Sequence, residues 1–436
     1  MDASFPPPGY VLAPSQVEGI EVYVPAAQGE GHPDIVDFKC PRCGATTAYS
    51  VHEQKLVCEH CGYSEETQAK QLGHGAEKFE FKVETMERSQ EGWGVERKDL
   101  SCQRCGALVS VPPDTLSYTC PFCGSNKVIY REALQDVLRP RFLIPFKIDP
   151  PTCRAITQKW LGSSWMTPAQ LRNAARLDKF TPVYLPYWTF NAVCKARWKA
   201  QVGKEVRESF RDTQNNRREV TRIQWRWESG IVEKPFNDLL VPGTSRVNLS
   251  TLGKIDTYAI SELVLYEPSF LAGMQAQAFD VTLEQAWDAG RLVMRDRTRQ
   301  ACYDRASSEH IRDFSMSLDF CDETWRYILV PVYTSVYAYG DRPEGAALSE
   351  APFRSYQILI NGQNGKIAGP RPVDWQKVWL VIALLLAPGA LLGLVGVATL
   401  LLQIGIAVGG LALFLLVIGL IIAFVIFMQA LEMERG

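Results

Sequence analysis

The sequence predicts an α+β protein: two small β modules, a mixed α+β middle domain and a C-terminal hairpin of two apolar helices. Three observations carry that prediction. Eight cysteines fall into two copies of one spacing, CxxC followed fourteen residues later by CxxC. Between residues 139 and 374, short apolar runs rich in β-branched and aromatic residues alternate with helix-like stretches. Residues 378–428 carry no charged side chain and one strongly polar one, Gln403. The implied boundaries are a tail over 1–33, modules over 34–66 and 98–131 joined by a linker over 67–97, a middle domain over 139–374 and the hairpin over 378–428.

Composition limits the function classes. The chain has 436 residues, 47% hydrophobic and 11% aromatic, which excludes global disorder. Its 46 Lys+Arg against 48 Asp+Glu argue against a strongly basic nucleic-acid binder. The mean hydropathy of -0.08 resembles a soluble protein only because it averages over two unlike parts.

The N-terminal tail contains Pro6-Pro7-Pro8 and has neither a basic start nor an apolar run, so it is not read as a signal peptide. In the first module Cys40 and Cys43 precede Cys58 and Cys61; in the second Cys102 and Cys105 precede Cys120 and Cys123, offset by 62 residues. A CxxC turn sets two thiolates on one side of a metal, and the glycine after each pair (Gly44, Gly62, Gly106, Gly124) accommodates the tight knuckle. Two knuckles close a tetrahedral set of four sulfurs, which suits Zn²⁺, and fourteen residues suffice for a β-hairpin between them. The modules read as zinc ribbons holding two structural ions with no open coordination position. Each is too small for a core of its own, so the metal is expected to supply much of its folding free energy. A disulfide framework needs an oxidising compartment, and a redox CxxC is expected once, near a βαβ pattern. His60 lies in a knuckle whose set Cys58 and Cys61 already fill; His32, His52 and His74 read as solvated loop residues. Cys153, Cys194, Cys302 and Cys321 lack ligand spacing and read as core thiols.

Ribbons that grip nucleic acid show a cationic excess. Residues 34–130 instead carry 11 Lys+Arg against 14 Asp+Glu, and Phe79, Phe81 and Trp93 lie among glutamates. Nucleic acid is therefore disfavoured as a partner.

In the middle domain, strands are expected at 142–148, 183–193, 223–232, 328–339 and 356–360, and helices at 152–161, 168–176 and 282–305, the last opened by a capping box at Thr282 and Gln285. Residues 195–226 hold ten Lys/Arg and four Asp/Glu, which reads as a solvated strand face, with anionic lipid headgroups as the alternative target. No GxxxxGK[ST], GxSxG or HExxH occurs. His310 reads as a helix end, and Asp319 and Asp322 as part of a polar turn. No small-molecule substrate is identified, and the protein is not expected to be an enzyme.

A bilayer crossing needs about 20 apolar residues, so the final stretch fits two transmembrane helices, near 378–400 and 406–428, turning around Gln403. Pro388 and Gly389 are expected to kink the first. Gly393, Gly396, Gly405, Gly409, Gly410 and Ala412 would let the two approach. Trp375 and Trp379 stand where interfacial anchors stand. Lys366, Arg371 and Lys377 before the hairpin and Arg435 after it place both termini and the soluble domains in the cytoplasm.

Two tandem CxxCG ribbons are followed by Tyr184-Leu-Pro-Tyr-Trp-Thr-Phe190, then Tyr327-Ile-Leu-Val-Pro-Val-Tyr333, then the Asn361 to Pro372 segment, which contains Asn-Gly-Gln-Asn-Gly and leads into the hairpin. This order resembles the YdjG-like bacterial membrane proteins with two N-terminal zinc ribbons, often labelled primosomal or helicase-like; a helicase is excluded by the missing nucleotide loop. Asn364 stands where the resemblance would have Thr. The resemblance implies a non-enzymatic component of the bacterial cytoplasmic membrane, tied to envelope stress and acting beside SPFH-like or PspA-like scaffold proteins. Asn361 to Gly365 itself reads as a hairpin turn, with Gly362 and Gly365 at positive φ. The resulting expectation is a membrane-anchored adaptor whose zinc ribbons present a docking surface for protein partners and whose α+β domain forms the rigid body; the rival is a membrane-tethered nucleic-acid-binding protein.

Overall fold

The computed structural model describes residues 10–13, 22–25, 38–67, 72–73, 79–80, 98–104, 106–111, 120–122, 128–132, 140–168, 171, 180–211, 217–308, 310–339, 354–398 and 405–435. The architecture is α+β, with two apolar helices at the C-terminal end. Among the described residues, strands β1 (Tyr10–Ala13) and β2 (Val22–Pro25) pair only with each other. Strands β3 (Ala48–Ser50), β4 (Lys55–Val57) and β5 (Ser64–Glu66) form a small antiparallel sheet. The short β6 (Phe79–Glu80), the second module's β7 (Lys98–Cys102), β8 (Leu108–Val111) and β9 (Val128–Glu132), and β10 (Phe142–Leu143) all belong to one large mixed sheet.

That sheet is dominated by three long strands: β11 (Thr181–Arg211), β12 (Arg217–Pro242) and, further along the chain, His310–Tyr339. The 31 residues of β11 correspond to roughly 100 Å of extended chain. The pattern of β11 changes halfway. Val183 to Trp188 are buried on both faces, as in a central strand. From residue 194 onward Cys194, Ala196, Trp198, Ala200 and Val202 are buried while Lys195, Arg197 and Lys199 are exposed, a period of two with one face in water. The sequence predicts separate short strands at 183–193 and 223–232. They are parts of longer strands, because charged residues on the solvent face of a half-buried strand interrupt the apolar run without interrupting the ladder.

The buried face of this arm is covered by a helix. After α1 (Pro150–Leu161), whose first turn is capped by Asp149 accepting from the Thr152 amide at 3.0 Å, and α2 (Leu249–Ile255), the long α3 (Leu283–Arg305) lies on β11 and β12. Its capping box is present: the Gln285 amide donates to Thr282 Oγ1, and the Thr282 amide to Gln285 Oε1. Ala286, Trp287, Gly290, Met294, Thr298 and Cys302 face inward at helical spacing. A predicted helix over 168–176 falls largely outside the described residues.

The remaining strands are β13 (Val264–Leu265), β14 (Gln275–Gln277), β15 (His310–Tyr339), β16 (Arg354–Asn361) and β17 (Ile367–Ala368). His310 opens β15 rather than ending a helix, and Asp319 and Asp322 lie inside that strand rather than in a turn. Asp313 and Asp322 take φ of 52° and 54°, and the register beside each shifts. The chain thus adds a residue and bends there while continuing as a ladder.

Two cores flank the sheet. Tyr184, Trp188 and Phe190 meet Phe146, Trp287 and Tyr333 on one face; Val183, Leu185 and Tyr187 meet Leu252, Ile255 and Val330 on the other. The turn from β16 to β17 serves the second. Asn361 is fully buried, donates to the Ile255 carbonyl at 2.9 Å and accepts from the amides of Gln363 and Asn364. Gln363 in turn accepts from the Ala259 amide and donates to Glu262. Gly365 has φ of 76°, as expected, but Gly362 does not take positive φ. It is glycine for space: a Cβ there would sit 2.5 Å from the Phe146 ring.

The apolar segment forms α4 (Trp375–Ala398) and α5 (Gly405–Arg435), both long and apolar enough to cross a membrane. At 1.5 Å per residue α5 measures about 46 Å, so it outruns a hydrocarbon core of about 30 Å. Of the small residues expected to draw the helices together, Gly393 faces Ala412, whereas Gly409 and Gly410 have nothing nearby among the described residues. The tightest approaches are elsewhere, Gly389 on Leu416 and Gly419 on the Leu385 carbonyl.

Candidate metal centre

The first module builds its site from two copies of one backbone turn. The Cys40 amide donates to the Ala45 carbonyl at 2.7 Å and the Gly44 amide returns to the Cys40 carbonyl at 2.8 Å, with Gly44 at φ 73°. Cys58 repeats the pattern with Tyr63 and Gly62, whose φ is 71°. Left-handed φ is costly for any residue with a Cβ, which explains the glycine after each CxxC. The sheet of β3 to β5, in register Tyr49↔Leu56↔Glu65, holds the knuckles face to face.

The four sulfurs converge. Cys40 Sγ lies 3.5 Å from Cys61 Sγ, Cys43 Sγ lies 3.5 Å from Cys58 Sγ, and all four are within 4.8 Å of one another. A tetrahedron with metal–sulfur bonds of about 2.3 Å has edges of about 3.8 Å, so the spacing fits a metal ion at its centre. Cys40 and Cys58 are buried, Cys61 is half-buried and Cys43 faces solvent. The knuckles also ready two of the thiols, Cys40 and Cys58, for deprotonation. Burial pushes the Cys40 thiol up, but the amides of Arg42 and Cys43 and the neighbouring sulfurs outweigh it and bring it down to about 7. Cys58 is lowered in the same way, chiefly by the Cys61 amide. Cys43 moves the other way, to about 12: the Ala45 amide lowers it, and desolvation with the three nearby sulfurs overcomes that. A bound cation would relieve that sulfur–sulfur conflict. Among the described residues this is the one group of three or more His, Cys, Asp or Glu side chains able to hold an ion; His60 and His52, both exposed, are not part of it.

In the second module Cys102 repeats the knuckle, donating to the Ala107 carbonyl and accepting from Gly106, whose φ is 72°. Cys102 and Cys120 are buried. Cys105 and Cys123 lie outside the described residues, so the structure brings together the first predicted set, while the second is described only at Cys102 and Cys120.

The modules differ in how they meet the body. Strand β8 pairs with β14 through Ser110↔Ala276 and Val109↔Gln277, and Thr334 Oγ1 donates to the Pro121 carbonyl at 2.6 Å. Leu100, Val109, Val111 and Phe122 join the same core as Val183 and Leu185. The first module keeps its own sheet and touches the body through Tyr49, whose amide donates to the Ala272 carbonyl and whose ring sits 5.2 Å from Phe270. Both modules pack into cores they share with the body: Tyr49, with Phe38, Val51 and Leu56 against it, joins the one around Trp188, and the strands of the second module join the one around Val183.

Of the other cysteines, Cys153, Cys194 and Cys302 are fully buried and burial raises each thiol, Cys153 to about 12, as suits core thiols; Cys321 is half-buried. Sequence reading did not anticipate the buried ion pair of Arg326 with Asp238. Its one trace was Arg326 itself, a lone charge in the apolar run that begins at Trp325.

No family model matches the sequence, and no solved structure matches it. The chain is similar to the uncharacterized protein YdjG of Bacillus subtilis (strain 168), 23% identical over 350 residues that cover 79% of this chain and 92% of that one.

Proposed function

We propose that this chain is a non-enzymatic, membrane-anchored zinc-ribbon adaptor that docks partner proteins at the cytoplasmic face of the membrane. The observation that carries it is the closed group of four converging thiols at Cys40, Cys43, Cys58 and Cys61, in a chain that ends in two apolar helices. Four sulfur ligands leave no position for substrate, so the ion is structural, and an all-sulfur tetrahedron favours zinc. By the repeat of the knuckle, Cys102, Cys105, Cys120 and Cys123 hold a second zinc. The body adds a second docking surface to that of the ribbons: the solvent face of the arm carries Trp227 and Ile231, both well exposed, beside Lys195, Arg197 and Lys199. Partners of the SPFH-like or PspA-like scaffold class fit the resemblance to YdjG-like proteins.

Two measurements test this. Elemental analysis of the purified protein should return two zinc atoms per chain; one or none removes the second or both sites. Mild-detergent purification should recover the same protein partners from wild type, and lose them from a Trp227→Ala, Ile231→Ala variant that still binds zinc. Unchanged partners would sink the docking role of the arm.

One observation favours the rival. Lys199 Nζ lies 4.5 Å from the centroid of Trp227 and the Arg312 guanidinium 4.1 Å from that of Trp225, the cation-and-ring pairing that nucleic-acid platforms also use. A salt-dependent affinity of the intact protein for single-stranded RNA or DNA, lost on replacing Trp225, Trp227 and Lys199, would promote it.

A further inference from the structure

The base of the helical hairpin is not a free tether. The Asp374 amide donates to the Met166 carbonyl at 2.8 Å, the Arg371 amide donates to the Met433 carbonyl at 2.8 Å, and Ser164 Oγ lies 3.4 Å from Met433 Sδ. The Met166 side chain is buried in a cluster with Val378 and Ile382 of α4 and Ala423 and Ala430 of α5. A loop of the soluble body, residues 162–167, is thus fastened at the level where the apolar helices begin. Its next-door residue, Trp165, has no comparable shelter: 46% of it is exposed.

From this we infer that Trp165 and the 162–167 loop form a third membrane contact, seated in the headgroup region of the bilayer. The inference rests on the reading of α4 and α5 as membrane-spanning. Since Met166 packs on residues inside the span, the preceding side chain stands at the water–lipid boundary, where a large amphipathic ring partitions best. The rim around it has the matching composition. Trp379, 56% exposed, and Trp375 sit on α4 with Phe427 of α5 beside them at 6.1 and 5.7 Å. The Arg371 guanidinium lies 4.6 Å from the Trp160 ring centroid and donates to Ser163 Oγ. Lys159 and Lys377 are exposed on the adjoining helix ends. Asp374, ion-paired to Lys377, and Glu432 and Glu434 on the last turn of α5 offset those cations. The contact is therefore carried by tryptophan rather than by attraction to anionic lipid. Its consequence is that the body is held against the bilayer at a fixed tilt instead of swinging on two helices.

The test is photo-crosslinking of the intact protein, reconstituted in phosphatidylethanolamine–phosphatidylglycerol vesicles, with p-benzoylphenylalanine placed singly at residue 165, 379 or 227. Each position is exposed and aromatic, so the fold should tolerate the probe. Lipid adducts are expected at 165 and 379 and none at 227 on the arm. Adducts at 379 with 165 no higher than 227 would overturn the third contact while leaving the spanning helices intact. Absence of adducts at 379 would overturn the spanning reading and this inference with it.

Discussion

At the scale of single residues, two buried charges set measurable liabilities. Arg326 is fully buried, and its ion pair is made with Asp238, itself held at φ 54° and anchored by its amide to Asn191 Oδ1. Among the described residues neither Nε nor Nη1 of Arg326 has a hydrogen-bond partner, so the pair carries most of the compensation for desolvation. Asp238→Asn keeps the backbone preference but removes the counter-charge. It should destabilise the body by about 3–5 kcal/mol, read as a lower melting temperature in detergent; an unchanged melt would mean the guanidinium is solvated. Asp256 is the second case. Burial raises its carboxyl to about 7 against an ordinary 3.8, with Lys366 only partly opposing, and its Oδ1 has no partner among the described residues. A raised folded-state pKa means the folded protein holds the proton more tightly. Its stabilising contribution is full below about pH 4 and is lost as pH climbs through about 7, a swing on the order of 4 kcal/mol. Wild type should therefore melt lower at pH 8 than at pH 5, and Asp256→Asn should narrow that gap. A variant with the same gap would assign the pH dependence elsewhere.

At the scale of elements, the two cysteine modules should part company when metal is withdrawn. Strands β3 to β5 form their own sheet and lean on the body at Tyr49, whereas β8 is hydrogen-bonded to β14 and β7 to β8 and β9. Chelation should expose the amides of β3 and β4 to rapid hydrogen exchange while those of β8 stay protected. Equal loss in both would mean the second module's strands owe their order to metal as the first's do. The knuckles were legible in the sequence because a CxxCG turn is a local solution: sulfur spacing and a left-handed glycine are fixed within five residues. The capping box of α3 was legible for the same reason. The length of β11 and β15 was not, since nothing local distinguishes a polar residue that ends a strand from one that decorates its wet face. For β11 that difference lies in α3, which covers the other face and begins more than seventy residues beyond the strand's end. The role of Gly362 was hidden likewise, because its constraint is the Phe146 ring rather than its own φ.

At the scale of the whole molecule, Arg371 joins body and hairpin. Its amide caps the Met433 carbonyl at the end of α5, its guanidinium donates to the Trp160 carbonyl and Ser163 Oγ, and it stacks on the Trp160 ring. Next to it, the Pro370 carbonyl accepts from Tyr337 at the end of β15, so one short segment links the long sheet, α1 and both apolar helices. Arg371→Ala keeps the backbone bond to Met433 and removes the other three contacts. Charge-assisted hydrogen bonds contribute about 1.5–3 kcal/mol each, and the variant retains every residue of the apolar segment. Membrane integration should therefore be unchanged, while hydrogen exchange rises across residues 160–168 and the melting temperature of the body falls. A variant that melts as wild type, with residues 160–168 equally protected, would show that the packing of Met166 on Val378 and Ile382 alone fixes the body to the hairpin.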